Sequence, residues 1–162
     1  MNLLLINILL AFVWTAVTGE LTAASFGIGF FLGYVVIWIA SPVIDPDGYS
    51  KKFWLVIGLI LYFLKELVVS SLRVAKDVLK PGKLTMKSGV ISVPLDVTTD
   101  FQITLLANMI SLTPGTLSLD VSEDRKTLFI HAMYIDEQNP ESTCEEIKSG
   151  MEAMVIRTVG KD

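Results

Sequence analysis

Lys65 and Glu66 stand side by side inside an otherwise apolar run, Phe53 to Lys80 (FWLVIGLILYFLKELVVSSLRVAKDVLK). Charges at membrane depth are costly, so they are kept where they pair across an interface, line a hydrated space, or serve an ion or proton route. On a helix advancing 100° per residue, Lys65, Glu66, Arg73, Lys76, Asp77 and Lys80 share about a third of the circumference. Gly58 and Tyr62 fall on the same stripe. Lys65 can snorkel along its own stem, but Glu66 is shorter, and Arg73 lies about 10 Å farther along the axis. Consecutive helical residues diverge by about 100°, so Lys65 and Glu66 are not expected to neutralise each other. Glu66 then needs a partner outside the helix, a water-filled cavity, or a locally thin bilayer. Lys65, Glu66 and Arg73 are the candidate ion-path or inter-subunit polar residues.

Other reactive groups are sparse. One His, one Cys, and no Ser/His/Asp spacing or phosphate-cradling glycine loop give no catalytic constellation, so no enzyme is expected. Two-His and Cys-Cys metal spacings are absent by count, and no metal or cofactor is implied. His131 reads as a hydrogen-bonded sheet residue and Cys144 as core packing. Thr113-Pro114-Gly115-Thr116 suits a type II turn, with Pro fixing φ at its second position and Gly supplying positive φ at its third. A partner-facing loop is the other reading of that turn. No basic, aromatic-rich patch points to nucleic acid.

The elements that must position these residues differ in kind along the chain. The 162 residues are 52% hydrophobic, yet residues 1 to 64 carry only Glu20, Asp45, Asp47, Lys51 and Lys52 as charges. That asymmetry indicates an integral membrane protein with a small appended domain. Residues 1–83 form the expected transmembrane region, with helices near 3–18, 21–40 and 53–80. The first is short, about 24 Å as helix. It lacks the leading basic residues of a cleaved signal. Gly29-x-x-x-Gly33 in the second has the spacing that permits close helix approach. Trp14, Trp38, Tyr49 and Trp54 fall near span ends, as interfacial aromatics do. Ser41 to Lys52, with Pro42, Pro46 and Asp47-Gly48, reads as a loop. With about three crossings, Arg73, Lys76, Lys80, Lys83 and Lys87 flank the far side against Lys51 and Lys52 opposite. The excess favours a multi-pass cell-membrane protein with a cytoplasmic C-terminal domain, although Lys51 and Lys52 oppose it. Re-entrant leading segments or a thinned bilayer edge are the alternatives.

Residues 84–162 read as a cytoplasmic α+β domain in the order strand, helix, strand, strand, helix. Ile91, Val93 and Leu95 line one face of an edge strand. Thr99-x-x-Gln102 opens a helix to Leu112 by a capping box, with Phe101, Leu105, Met109 and Leu112 as its expected buried stripe. Leu117, Leu119 and Val121 alternate with Ser118 and Asp120, a hairpin turn covers Ser122 to Lys126, and Thr127 to Tyr134 is apolar enough to be central. Asn139-Pro140 is expected to start the last helix, with Cys144, Ile147, Met151, Met154 and Val155 facing inward.

Several of these stretches resemble the E-type component of the Mrp-type (Mnh/Pha) multisubunit sodium/proton antiporters. Leu105-Leu106-Ala107-Asn108 running into Leu112-Thr113-Pro114-Gly115-Thr116 is the clearest piece. Lys65-Glu66-Leu67, Val74-Ala75-Lys76-Asp77-Val78-Leu79 and Leu128-Phe129-Ile130-His131-Ala132 follow the same order. Met109 and Ser111 depart from the smaller or Thr residues usual there. The resemblance implies an accessory, non-catalytic subunit of a hetero-oligomer that exchanges cytoplasmic Na⁺ for external H⁺. Its partners would be the other subunits and the lipid bilayer, and the proton channels would belong to larger subunits. Lys65 and Glu66 are the positions carried over toward the ion path. A membrane-anchored binding or regulatory module is the competing reading.

Overall fold

The computed structural model describes residues 3–44, 49–80, 87–135 and 141–160. It packs as two compact units, Met1–Trp54 and Leu55–Asp162. In the first, helices α1 (Leu3–Thr18) and α2 (Ala23–Ile44) form a hairpin. Gly19, at φ +70°, ends α1 in the left-handed conformation that glycine adopts without Cβ strain. Leu3, Asn7, Ala11 and Thr15 recur every fourth residue and make the buried face of α1. Two of the three α2 glycines, Gly29 and Gly33, sit against that face. A Cβ on Gly29 would lie 2.7 Å from Trp14 Cβ and 3.0 Å from Ala11 Cα, and one on Gly33 would meet Asn7 Oδ1. The small-residue spacing thus marks a real close approach of helices.

Helix α2 reaches Ile44 and α3 spans Tyr49–Leu79, so the loop expected over Ser41–Lys52 is shorter than its prolines and charges suggested. A proline removes one helical N–H bond and crowds the carbonyl four residues before it, and the residue before it is biased away from helix rather than barred; Pro42 lies only two residues from the end of α2. Pro46, Asp47, Gly48, Pro81, Gly82 and Lys83 lie outside the described residues, as do Asn139 and Pro140, the expected start of the last helix.

The second unit contains a three-stranded antiparallel sheet of order β1-β3-β2: β1 (Gly89–Pro94), β2 (Thr116–Val121) and β3 (Thr127–Ala132). Strand β1 is at an edge and β3 is central, as their Pro and all-apolar character imply. Helix α4 (Asp100–Leu112) starts at the Thr99 capping box. Thr99 Oγ1 accepts from Gln102 N, and Gln102 Oε1 accepts from Thr99 N. A last helical stretch follows as α5 (Glu141–Ile147), a π-turn (Lys148–Glu152) and α6 (Ala153–Val159). The core joins Val93, Leu106, Ile110, Leu128, Ile130 and Val155 to Leu59 of α3, with Phe63 packed beside them.

Two amphipathic expectations are corrected. On α4 the buried residues are Gln102, Ile103, Leu106, Met109 and Ile110, while Phe101 and Leu112 are exposed. Gln102 is drawn inward because its Nε2 donates to Gly160 O at 2.6 Å, and that rotation sets the whole helix. On β2 the leucines Leu117 and Leu119 face outward. Ser118 takes the inner side, where its hydroxyl donates to Ala107 O at 3.0 Å and its N–H donates to Ser111 Oγ at 3.1 Å. The register shifts between Ser118 and Asp120, and Val121 regains the core side opposite Leu128.

Candidate functional site

The α4–β2 connection is a hydrogen-bonded β-turn of the expected kind. Thr116 N donates to Thr113 O at 3.2 Å, and Gly115 sits at φ +96°. Both threonines fasten it to the end of α4: Thr113 Oγ1 donates to Met109 O at 2.8 Å and Thr116 Oγ1 to Ile110 O at 2.7 Å. Met133 N, just past β3, donates to Gly115 O at 2.8 Å, so the turn is held from both sides. Tyr134 packs over Gly115, where a Cβ would stand at an ordinary 3.5 Å contact from its ring, so it is the positive φ that calls for glycine here.

This turn closes one end of a cavity of about 90 Å³ whose opposite wall is α3. Tyr62, Glu66, Ser70 and Arg73 enter from α3, and Thr113 to Thr116 from the turn. Tyr134 comes from the end of β3, and Thr143, Glu146 and Met151 from the last helical stretch. Of the residues singled out from sequence, Glu66, Arg73 and the whole Thr113-Pro114-Gly115-Thr116 turn therefore share one space. Lys65 is not among its lining residues. Its side chain is 69% exposed, with Nζ 5.9 Å from the Tyr62 ring centroid.

Lys65 Nζ nevertheless reaches within 3.7 Å of Glu66 Oε1, although their backbones diverge. The expectation that the pair cannot meet is corrected by the length of the lysine stem, which wraps around the helix. Glu66 is 24% exposed. The chain's own α+β elements half-bury Tyr62 and Glu66 of the polar stripe of α3, whereas Lys65, Arg73, Lys76 and Lys80 stay exposed. A carboxylate, a guanidinium, two phenols and several hydroxyls in a space that admits a few waters can hold a hydrated polar network. They offer neither a nucleophile–base pair nor, among the described residues, a cluster able to hold a metal.

Tyr134, Ser70 and Glu146 join this site without having stood out in the sequence, and Gly150 abuts its Tyr62 wall. Burial, and then the Asp77 carboxylate, hold the Tyr134 phenol above its ordinary range. Ser70 returns its hydroxyl to Glu66 O, a local bond that leaves no trace in periodicity. Gly150 lies in the π-turn, where a Cβ would collide with Tyr62 Oη; a glycine in an otherwise amphipathic helix was the one available signal. His131 is half-buried on the outer sheet face beside exposed Phe129, away from the cavity.

Comparison with known proteins agrees along nearly the full length. The family described as Na+/H+ ion antiporter subunit matches residues 7–158. The E component of the Na(+)/H(+) antiporter of Alkalihalophilus pseudofirmus is 37% identical over 153 residues, 94% of this chain and 95% of that protein. The E1 component of the Na(+)/H(+) antiporter of Staphylococcus haemolyticus is 38% identical over 159 residues, 98% of each. Among solved structures, a chain of the membrane-bound sulfane sulfur reductase, an archaeal respiratory membrane complex, superposes with a TM-score of 0.60 at 26% identity. The match covers 96% of this chain and 98% of that one. On this evidence the chain belongs to the E-type family of Mrp-type multisubunit Na⁺/H⁺ antiporter components.

Proposed function

We propose that this chain is an accessory subunit without catalysis of its own. In this reading α1 and α2 anchor it in the cell membrane against sibling subunits and lipid. The α+β part, including residues 84–162, lies on the cytoplasmic side. Two crossings suffice for it to be a multi-pass protein. Glu66 and Arg73 border the cation route of the assembled antiporter, whose transported ions are Na⁺ and H⁺. No nucleic acid, cofactor or metal is involved in that role.

The observation that carries it is the convergence of Glu66 and Arg73 with the Thr113–Thr116 turn on one small polar cavity. A functional carboxylate in an apolar helix calls for such a space. The test is Na⁺/H⁺ exchange in membrane vesicles bearing Glu66→Ala. Exchange should fall severalfold while the complex still purifies with all its subunits. Unchanged exchange would strip this carboxylate of any transport role. The competing reading, a tethered module that captures a small ligand, is disfavoured at this cavity by size: about 90 Å³ is well below the roughly 300–1,000 Å³ of ordinary ligand pockets.

A further inference from the structure

We infer that the outer face of the sheet is a docking surface for an amphipathic helix of a sibling antiporter subunit. The cross-strand rows place Val90, His131 and Leu117 side by side, with Ser92, Phe129 and Asp120 in the next row. Val93, Leu128 and Ile130 point the other way, into the core that α4 and the last helical stretch cover. None of the described residues covers the outer face: Val90 is 60% exposed, Leu119 51%, Leu117 50% and Phe129 37%. A contiguous apolar patch rimmed by polar groups marks an interaction site.

The sheet edges argue against a partner that joins as an added strand. On β1, Ser92 O accepts from Cys144 Sγ at 3.6 Å, Pro94 O accepts from Lys148 Nζ at 2.9 Å, and Pro94 has no N–H. On β2, Thr116 N donates to Thr113 O, Ser118 N to Ser111 Oγ at 3.1 Å, and Val121 N to Asp120 Oδ1 at 2.8 Å. A strand laid along either edge would find groups it needs already used. The partner therefore meets the face.

Size and charge say what kind of partner it is. Three strands about 4.8 Å apart, each of six residues at about 3.3 Å, present about 300 Å². Two copies of this chain meeting there would bury far less than the roughly 800 Å² per partner of a self-sufficient interface. A subunit already held alongside in one membrane assembly needs much less, because the assembly fixes its effective concentration. Membership of a multisubunit antiporter family supplies such neighbours. The face is little wider than one helix, about 10 Å across. At the hairpin end Asp120, Glu123 and Asp124 are exposed with Lys126, while Arg125 is held by Asp100 of α4 at 2.8 Å. The docking helix thus carries an apolar flank and a Lys or Arg at the hairpin end. The inference rests on the family and is independent of the role given to Glu66.

The experiment uses the assembled antiporter in lipid nanodiscs, with p-benzoylphenylalanine in place of Phe129 or of Leu117. Irradiation should join this chain to one sibling subunit, at a helical peptide with an apolar flank and a basic residue. The same label at Asn108, exposed on α4, should not give that adduct. An adduct of twice this chain's mass would mean a second copy and overturn the inference. Adducts to lipid alone, no adduct, or the same adduct from Asn108 would overturn it as well. In parallel, Leu117→Arg combined with Leu119→Arg should lower the recovery of that sibling severalfold, and Leu117→Met should not. Full retention of the sibling by the double arginine variant would refute the docking role.

Discussion

Glu152 is 1% exposed, and its Oε1 accepts from the backbone N–H groups of Asp96 (2.6 Å) and Val97 (3.1 Å). The last helical stretch thereby satisfies donors in the β1–α4 connection that would otherwise be buried without partners. Beside it, Lys148 bonds Asp96 Oδ2 and Pro94 O, both at 2.9 Å, and the Asp96 bond holds its ammonium above the ordinary lysine range. Replacing Glu152 by Ala strands two N–H groups. The expected loss is about 2–5 kcal/mol, from the desolvation cost of each donor, with Glu152→Gln losing distinctly less because its amide oxygen still accepts. Denaturant unfolding of the purified residue 55–162 unit measures both, and equal losses for Ala and Gln would refute the acceptor role. This contact is invisible in sequence because its partners are 55 and 56 residues apart. The Thr99–Gln102 capping box was legible because both of its bonds close within four residues. The polar cavity divides along the same line. Glu66 announced itself by charge in an apolar run, whereas Tyr134 needed the sheet to bring it there.

At the scale of elements, the rotation of each helix is decided by the polar groups that must find partners. Helix α4 turns Gln102 inward to reach Gly160 and so exposes Phe101, a choice that a count of apolar positions misses. Strand β2 turns Ser118 inward to bond α4 and leaves two leucines outside. The π-turn at Lys148–Glu152 inserts one residue's worth of extra winding and sets Gly150 against Tyr62 of α3. Gly150→Val should therefore push α3 away from this turn and cost about 1–3 kcal/mol, as overpacking in close-packed interiors does. The same unfolding assay reads the loss. Pairing Gly150→Val with Tyr62→Phe, which removes the colliding oxygen, should recover part of it. A second loss that simply adds to the first would place the contact elsewhere. The edge place of β1 and the central place of β3 were legible, from Pro94 in the one and the apolar run of Thr127 to Tyr134 in the other.

For the molecule as a whole, the boundary that matters for folding differs from the one that hydropathy draws. Composition changes near residue 65 and the sequence division falls at 83/84, because a charge count registers where water begins. Packing divides between Trp54 and Leu55, because Leu59 and Phe63 of α3 complete the core that Val155 and Ile147 close from the other side. No local pattern reports that a membrane-grade segment completes the core of an α+β domain. The division has a measurable consequence. A fragment of residues 84–162 leaves that part of its core open and lacks the helix that walls the cavity. Removing the Leu59 side chain alone, a buried Leu, is worth about 2–5 kcal/mol by the usual scale of Leu→Ala changes, against a domain stability of about 5–15 kcal/mol. Residues 84–162 should therefore show little cooperative melting in near-ultraviolet circular dichroism. A fragment of residues 55–162, kept in mild detergent to cover the outer strip of α3, should melt in a single transition. If the shorter fragment melts as sharply and at the same temperature, α3 is a tether and its burial contributes nothing to the fold. If only the longer one does, the helix is part of the domain, and its apolar flank must be covered by lipid or a neighbour in the assembled antiporter.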